Sequence, residues 1–368
     1  MPIVVNNNTS ATVASFNLSQ ANDALRKSLS RLSSGNRIVD SSDDAGGLAV
    51  AYKLGSKLKR TEAVRQNIQS GISYLQVQDG AMQVVAKIVD RMSELRTMAS
   101  DVTKNTQDVE NYSKEFIELQ SQLSQTYREK FNGISLFAVS RTAVPSTPPE
   151  VRPPLSKNAS AVDELGNTYQ KFSREIVTTA DGVRAEGHVS LNIINMQYVL
   201  SLGGIDTTYL TTQTAAVISI ARSTAGASDA EGQHIFFNLG NLNAGNLNDL
   251  ENSTSTAVSI AAAKSEVFTD QGFLKSILFV SMGQFTTIIE KIADSRAENG
   301  AEQSRLRMAD ELLIQNMTNL EAAYGRIMDA DIALESTRFA RQNVLVQSSA
   351  AMVAQANQLT NIALTILG

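Results

Sequence analysis

The sequence has 368 residues, 42% of them hydrophobic, with a net charge of −5 and no cysteine. That apolar content excludes a generically disordered chain, and the length allows roughly two or three domains. The negative balance disfavours nucleic acid or an anionic membrane as main partner, and the missing cysteine removes disulfides, thiolate chemistry and cysteine-held zinc. Aromatic residues make up 5%, with no Trp, a balance suited to long helices packed through aliphatic side chains.

The first residues, MPIVVNNNTSATVASF, carry no Lys or Arg, and their apolar run stops at Asn6. They do not read as a cleaved secretory signal. No 18-residue uncharged apolar stretch reads as a membrane span. Export of this chain would therefore take a route without a cleaved signal.

From about Ser15 to Ser33, Leu18, Ala21, Leu25, Leu29 and Leu32 form one stripe at helical spacing. Gly35 stops this predicted helix as a C′ glycine. Ser41, Ser42, Asp43 and Asp44 are N-cap material for a second helix starting near Ala45. Ile68, Leu75, Met82 and Val89 recur every seven residues, widened by Ile72, Val85 and Met92, and carry it to near Ser100. A third helix, about Asp108 to Tyr127, holds Phe116, Leu119 and Leu123. Phe131-Asn132-Gly133 signals a turn, and Ile134 to Phe137 reads as a short strand.

The composition then changes. Five of the six prolines fall at Pro145, Pro148, Pro149, Pro153 and Pro154, and no helix or central strand passes through such a run. From there to about Ala263 the chain is rich in Thr, Ser, Gly and Asn with short apolar runs, which predicts a separate mixed domain containing strands. Helical patterning resumes at about Phe273. Leu306, Leu313, Leu320, Ile327 and Leu334 then stand at spacing seven, a coiled-coil-like signal. The step from Leu334 to Leu345 is eleven, a four-residue stutter, after which Leu345, Met352, Leu359 and Ile366 resume the repeat. The expected fold is mainly α. Both chain ends form long antiparallel helices in a coiled-coil-like bundle. A short β-hairpin region follows, and a mixed α/β or β-containing outer domain is inserted.

Charge is distributed unusually. No Asp, Glu, Lys, Arg or His occurs from Gln342 to Gly368, nor from Met1 to Asn22. Burying Leu345, Met352, Leu359 and Ile366 would contribute roughly 1.5–3 kcal/mol each. Two arrangements satisfy this pattern: a monomeric bundle, or ends buried against each other and against further copies. The second explains more, because a helix with one wet face has no need to exclude charge from it.

No catalytic constellation stands out. Asp43-Asp44 reads as a helix cap, and His188 and His234 lack any metal-ligand pattern around them. The sequence therefore offers no catalytic, cofactor-binding or metal-binding residues. Asn-x-Ser/Thr occurs at Asn158 and Asn252, and the Ser/Thr-rich middle offers acceptors for O-linked glycans.

Several motifs now align with one family. Leu32 to Ala51, LSSGNRIVDSSDDAGGLAVA, resembles the LSSG-x-RI…DDAAGLAI segment of bacterial flagellin. Asn319 to Ala333, NLEAAYGRIMDADIA, resembles its NL-x-AA-x-SRI-x-DAD-x-A. Arg341 to Leu367 is similar to its AR-x-x-IL-x-QA…AMLAQANQ…VLSLL end. Asn299 to Leu306 is similar to LGA-x-QNRL, and Phe131-Asn132-Gly133 to the FNG turn. The likeness covers about residues 1–137 and 270–368. It departs at Gly46, where the family usually has Ala, which loosens that joint, and between Leu119 and Phe131, which is one residue short.

The resemblance implies a structural subunit, not an enzyme, of a helical filament outside the cell. It implies an inner coiled-coil domain (1–40 with 335–368), a helical outer-tube domain (41–140 with 270–334) and a surface-exposed insertion (141–269). Leu18, Leu25, Leu32, Leu345, Met352, Leu359 and Ile366 would form the self-assembly core. Gly35, Asp43, Asp44, Gly46 and Gly47 would form the linker. Ile68, Leu75, Met82, Val89, Leu306, Leu313, Leu320 and Ile327 would pack the outer tube. Export through the flagellar type III apparatus, an export chaperone, and cap and junction proteins are implied partners of that life cycle. In some flagellins the segment matching Arg91, Glu94 and Leu95 contacts a Toll-like receptor; a solvated, filament-packing face is the reading favoured here. A hook–filament junction protein of the same family, or a subunit displaying an adhesive or enzymatic insertion, are the alternatives.

Overall fold

The structure is a computed structural model that describes residues 8–138, 156–162, 168–183, 187–202, 204–210, 237–240 and 265–367. The chain divides into two compact units, Met1–Ala63 with Leu312–Gly368 and Val64–Glu311.

The first unit pairs α1 (Thr9–Ser34) with α6 (Ile332–Leu367) and includes the start of α2 (Ala45–Ala99) and the end of α5 (Met282–Met328). Asn8 caps α1: its side chain accepts from the Ala11 amide at 3.0 Å and donates to the Ala356 carbonyl at 2.8 Å. At the other end Gly35, at φ 71°, closes α1 in the left-handed conformation that its lack of Cβ permits. The Gly35 carbonyl there accepts from the Ala330 amide at 2.9 Å, so the two helices run antiparallel. The Arg37 amide donates to the Met328 carbonyl at 2.6 Å. Both chain crossings are thereby tied to each other. Ile38, Ala51 and Met328 form a small core beside this joint, with Leu48, Tyr324 and Ile327 packed on it.

The repeat from Leu306 to Leu334 is not one helix. Helix α5 ends at Met328 and α6 starts at Ile332. Asp331 makes the break, its carboxylate accepting from the Ala333 and Leu334 amides at 3.0 and 3.1 Å. Leu334 thus belongs to α6, and the apparent stutter reflects two helices read as one.

In the second unit the seven-residue repeat of α2 holds: Ile68, Leu75, Met82 and Val89 are all fully buried. Helix α3 (Thr106–Thr126) starts two residues earlier than expected because Asn105 and Asp108 form a reciprocal capping box. Strands β1 (Lys130–Phe131) and β2 (Ile134–Ser135) pair antiparallel around Asn132-Gly133. Both turn residues have positive φ, 49° and 78°, as this two-residue hairpin turn requires.

A four-stranded sheet follows, in the order β3-β6-β5-β4. Its strands are β3 (Phe137–Ala138), β4 (Ser156–Val162), β5 (Thr168–Val177) and β6 (His188–Asn195). The β3–β6 pair is parallel, and the other two are antiparallel. Ala138, Phe172 and Ile193 pack together in this sheet. Gly71 lets α2 approach it: a Cβ there would run into Ile176 Cδ1. A short helix α4 (Met196–Val199) follows β6.

Helix α5 begins at Met282, nine residues after Phe273, where helical patterning was expected to resume. Ser281 and Gln284 cap it reciprocally, at 2.8 and 3.3 Å. The apolar residues before it sit in irregular chain and a 3₁₀ turn, Ile277–Phe279. That stretch is held by Gln120 of α3, which donates to the Leu274 carbonyl at 2.9 Å and accepts from its amide at 3.0 Å. Arg96 adds a buried bond to the Val280 carbonyl at 2.7 Å.

Candidate assembly surface at the chain ends

On α1, Ala11, Ala14, Leu18, Ala21, Leu25, Ser28 and Leu32 are buried or half-buried. Their steps alternate three and four, the spacing of a coiled-coil seam. Leu18, Leu25 and Leu32 lie on it, as expected; Leu29 does not, being 55% exposed. The rest of the seam is Ala and Ser, which sequence patterning keyed to large apolar residues passes over.

The matching seam of α6 is Glu335, Phe339, Gln342, Val346, Ser349, Val353 and Ala356. Its steps alternate four and three without interruption. Leu345 and Met352 are not in it: they are 40% and 62% exposed. The intrachain register lies one residue beyond the leucine-and-methionine repeat. The reason is that α6 has two apolar stripes, and the larger side chains occupy the one turned away from α1. The side chains of Leu359 and Ile366 lie outside the described residues.

The outward faces are apolar on both helices. Val13 and Phe16 on α1 are largely exposed, as are Val344, Leu345 and Met352 on α6. Between the last three stand Gln347, Ser348, Ala350, Ala351, Gln355, Asn357 and Gln358, all exposed. None of these wet positions carries a charge, so burial within one chain does not explain the missing charge.

The linker residues divide in function. Asp44 caps α2, accepting from the Gly47 amide at 2.8 Å. Asp43 instead turns back to α1. Its covered carboxylate pairs with Lys27 and, at 3.4 Å, with Arg31. The Lys27 ammonium, helped by the Val39 amide and Arg31, holds the Asp43 carboxyl below its ordinary range against the opposing effect of burial. Gly46 is exposed and Gly47 half-buried in the first turn of α2.

Of the residues expected to pack the outer tube, Leu306 and Leu313 are buried and Leu320 and Ile327 half-buried. In the segment Arg91 to Leu95, Arg91 bridges Glu94 and Glu115 at 2.9 and 2.8 Å on the surface. Leu95 is fully buried and offers nothing to a partner. Among the described residues no group of three or more His, Asp or Glu is placed to hold a metal, and no helix is long and apolar enough to cross a membrane. His234 and Asn252 lie outside the described residues, as does most of the Ser/Thr-rich middle.

Comparison with known proteins fits this pairing of the ends. The bacterial flagellin N-terminal helical region matches residues 5–142, and the bacterial flagellin C-terminal helical region matches residues 282–367. Polar flagellin F of Vibrio parahaemolyticus is 27% identical over 391 residues, with both chains covered completely. The flagellin of Bacillus subtilis is 27% identical over 366 residues, covering 99% of each chain. Among solved structures, Bacillus cereus flagellin is similar over 70% of this chain and 94% of its own, with 18% identity and a TM-score of 0.35. With more than half of its length matched by the two helical regions of that family, the chain belongs to the bacterial flagellins, structural subunits of the flagellar filament.

Proposed function

We propose that the α1–α6 hairpin is the self-assembly element of this subunit, and that neighbouring copies cover its outward stripes in a helical polymer outside the cell. The observation that carries this is the charge-free outer face of α6: Leu345 and Met352 are exposed in the single chain, amid exposed residues none of which is charged. Nothing within one chain demands that exclusion, but burial against a second copy does. A helical polymer needs two different complementary patches, and α1 and α6 each present one.

In this reading Gly35, Asp43, Asp44, Gly46 and Gly47 join the assembly hairpin to the rest of the subunit. Ile68, Leu75, Met82, Val89, Leu306, Leu313, Leu320 and Ile327 pack its helical outer layer. Residues 141–269 form an outward insertion with acceptors for O-linked glycans. Family membership supports export through the flagellar apparatus without a cleaved signal, with a chaperone, cap and junction proteins as partners, and a role in swimming.

Deleting residues 343–368 tests the proposal. The truncated chain is expected to stay folded and monomeric and to give no filaments by electron microscopy and sedimentation. Filaments of normal length from the truncated chain would refute it. Abundance decides between filament subunit and junction protein: a filament subunit is the major component of purified filaments.

A further inference from the structure

We infer that Glu302 is a pH-operated latch, which holds the edge of β6 against α5 when protonated and releases it when ionised. This goes beyond the filament reading and does not depend on it.

The geometry starts from an incomplete sheet. Strand β3 pairs with β6 only at Ile194 and Asn195, so the same edge of β6 from His188 to Asn192 faces helices instead of a strand. Unpaired strand edges need covering, and here polar side chains do it. Both Glu302 carboxylate oxygens accept from the Asn192 amide, at 3.1 and 2.9 Å. Gln78 of α2 donates to the Asn192 carbonyl at 3.3 Å, and Arg305 of α5 to the His188 carbonyl at 3.3 Å. Glu302 thus takes the place of a neighbouring strand's carbonyl.

Its surroundings make the ionised form costly. Glu298, one turn earlier on α5, accepts from the Asn192 side-chain amide at 2.7 Å and from Lys171 of β5 at 2.8 Å. Two carboxylates four residues apart on a helix therefore grip one asparagine, and like charges at that spacing repel. The charged and titratable groups around Glu302 are Glu298 and Arg305 on α5, Lys171 and Arg174 on β5 and Tyr74 on α2. Lys171 is engaged by Glu298, Arg305 by the His188 carbonyl, and Arg174 lies against Tyr74. Burial pushes the Glu302 carboxyl up to about 7, with Glu298 adding to it; the Asn192 amide, Arg305 and Lys171 pull the other way without restoring the ordinary value. Glu302 stands at the free position of the family's LGA-x-QNRL motif, so the latch belongs to this sequence, not to the motif.

The direction follows from linkage. A carboxyl whose docked pKa lies above its free value stabilises docking fully below the free value of 4.5, and that contribution is lost as pH rises through about 7. Opening of the β6 edge therefore increases across this window. With Glu302 partly solvated, the increase is on the order of tenfold.

Hydrogen exchange of residues 187–195 in the full chain tests this, measured from pH 5.5 to 8.5 and corrected for the intrinsic rate. Wild type is expected to open about tenfold more at the alkaline end. Glu302→Gln, a neutral isostere, is expected to give a flat profile. Equal pH slopes in wild type and Glu302→Gln, or an edge that tightens with rising pH, would overturn the latch. Glu298→Gln provides an independent check: removing the repelling carboxylate shifts the opening midpoint to lower pH, and an unmoved midpoint counts against the proposal even if Glu302→Gln fails to fold.

Discussion

Single side chains decide where irregular backbone goes in this protein. Gln120 is fully buried, and its amide satisfies both the amide and the carbonyl of Leu274. An apolar residue of similar size would leave both backbone groups buried without partners. Gln120→Leu is therefore expected to destabilise the Val64–Glu311 unit by about 2–4 kcal/mol. Thermal unfolding followed by circular dichroism measures this, and a loss near zero would show that Leu274 finds other partners. Asp43 illustrates the same rule with charge. Its lowered carboxyl contributes stability above its ordinary value of 3.8, and that contribution is lost as pH falls through the folded value. Neither role was legible beforehand. A glutamine in a helix and an aspartate before one look like a surface residue and a cap until the distant partner is placed.

At the scale of elements, register separates two stripes that composition alone merges. Val346 lies on the α1-facing seam of α6, while Leu345 lies outside it. Val346→Lys is expected to cost roughly 1–2 kcal/mol of α1–α6 pairing through desolvation of the ammonium. Leu345→Lys is expected to leave the hairpin's helicity unchanged and to block polymerisation. Far-ultraviolet circular dichroism and sedimentation separate the outcomes; equal loss of helicity in both variants would place the seam elsewhere. The heptads of α2 were readable because Ile, Leu, Met and Val carry them. The α1–α6 seam was not, because it is built largely from Ala, Ser and Gln, and the more conspicuous leucines serve the other face. The break at Asp331 was likewise hidden by an apolar repeat that continues across it.

For the whole molecule, the uncharged outer face of α6 is a property that no single chain uses. Placing Lys at Gln347, Gln355 and Gln358, all exposed, is expected to leave the monomer folded. Desolvating three unpaired ammonium groups in a polymer would cost several kcal/mol per subunit, so filaments are expected to be shorter or absent by electron microscopy. Filaments of wild-type length would show that this face remains wet in the assembled state.

The sequence alone determined the mainly helical class, the nested pairing of the chain ends, the hairpin at Asn132-Gly133 and the core heptads of α2. These follow from periodicity, caps and turn chemistry, which act over a few residues. The tertiary structure decided which stripe of α6 faces α1, that Asp43 turns back to Lys27 and Arg31, and that Glu302 closes the edge of β6. Those depend on groups up to 110 positions apart, and the energy of such a contact is set by burial and by the partner, neither of which local sequence specifies.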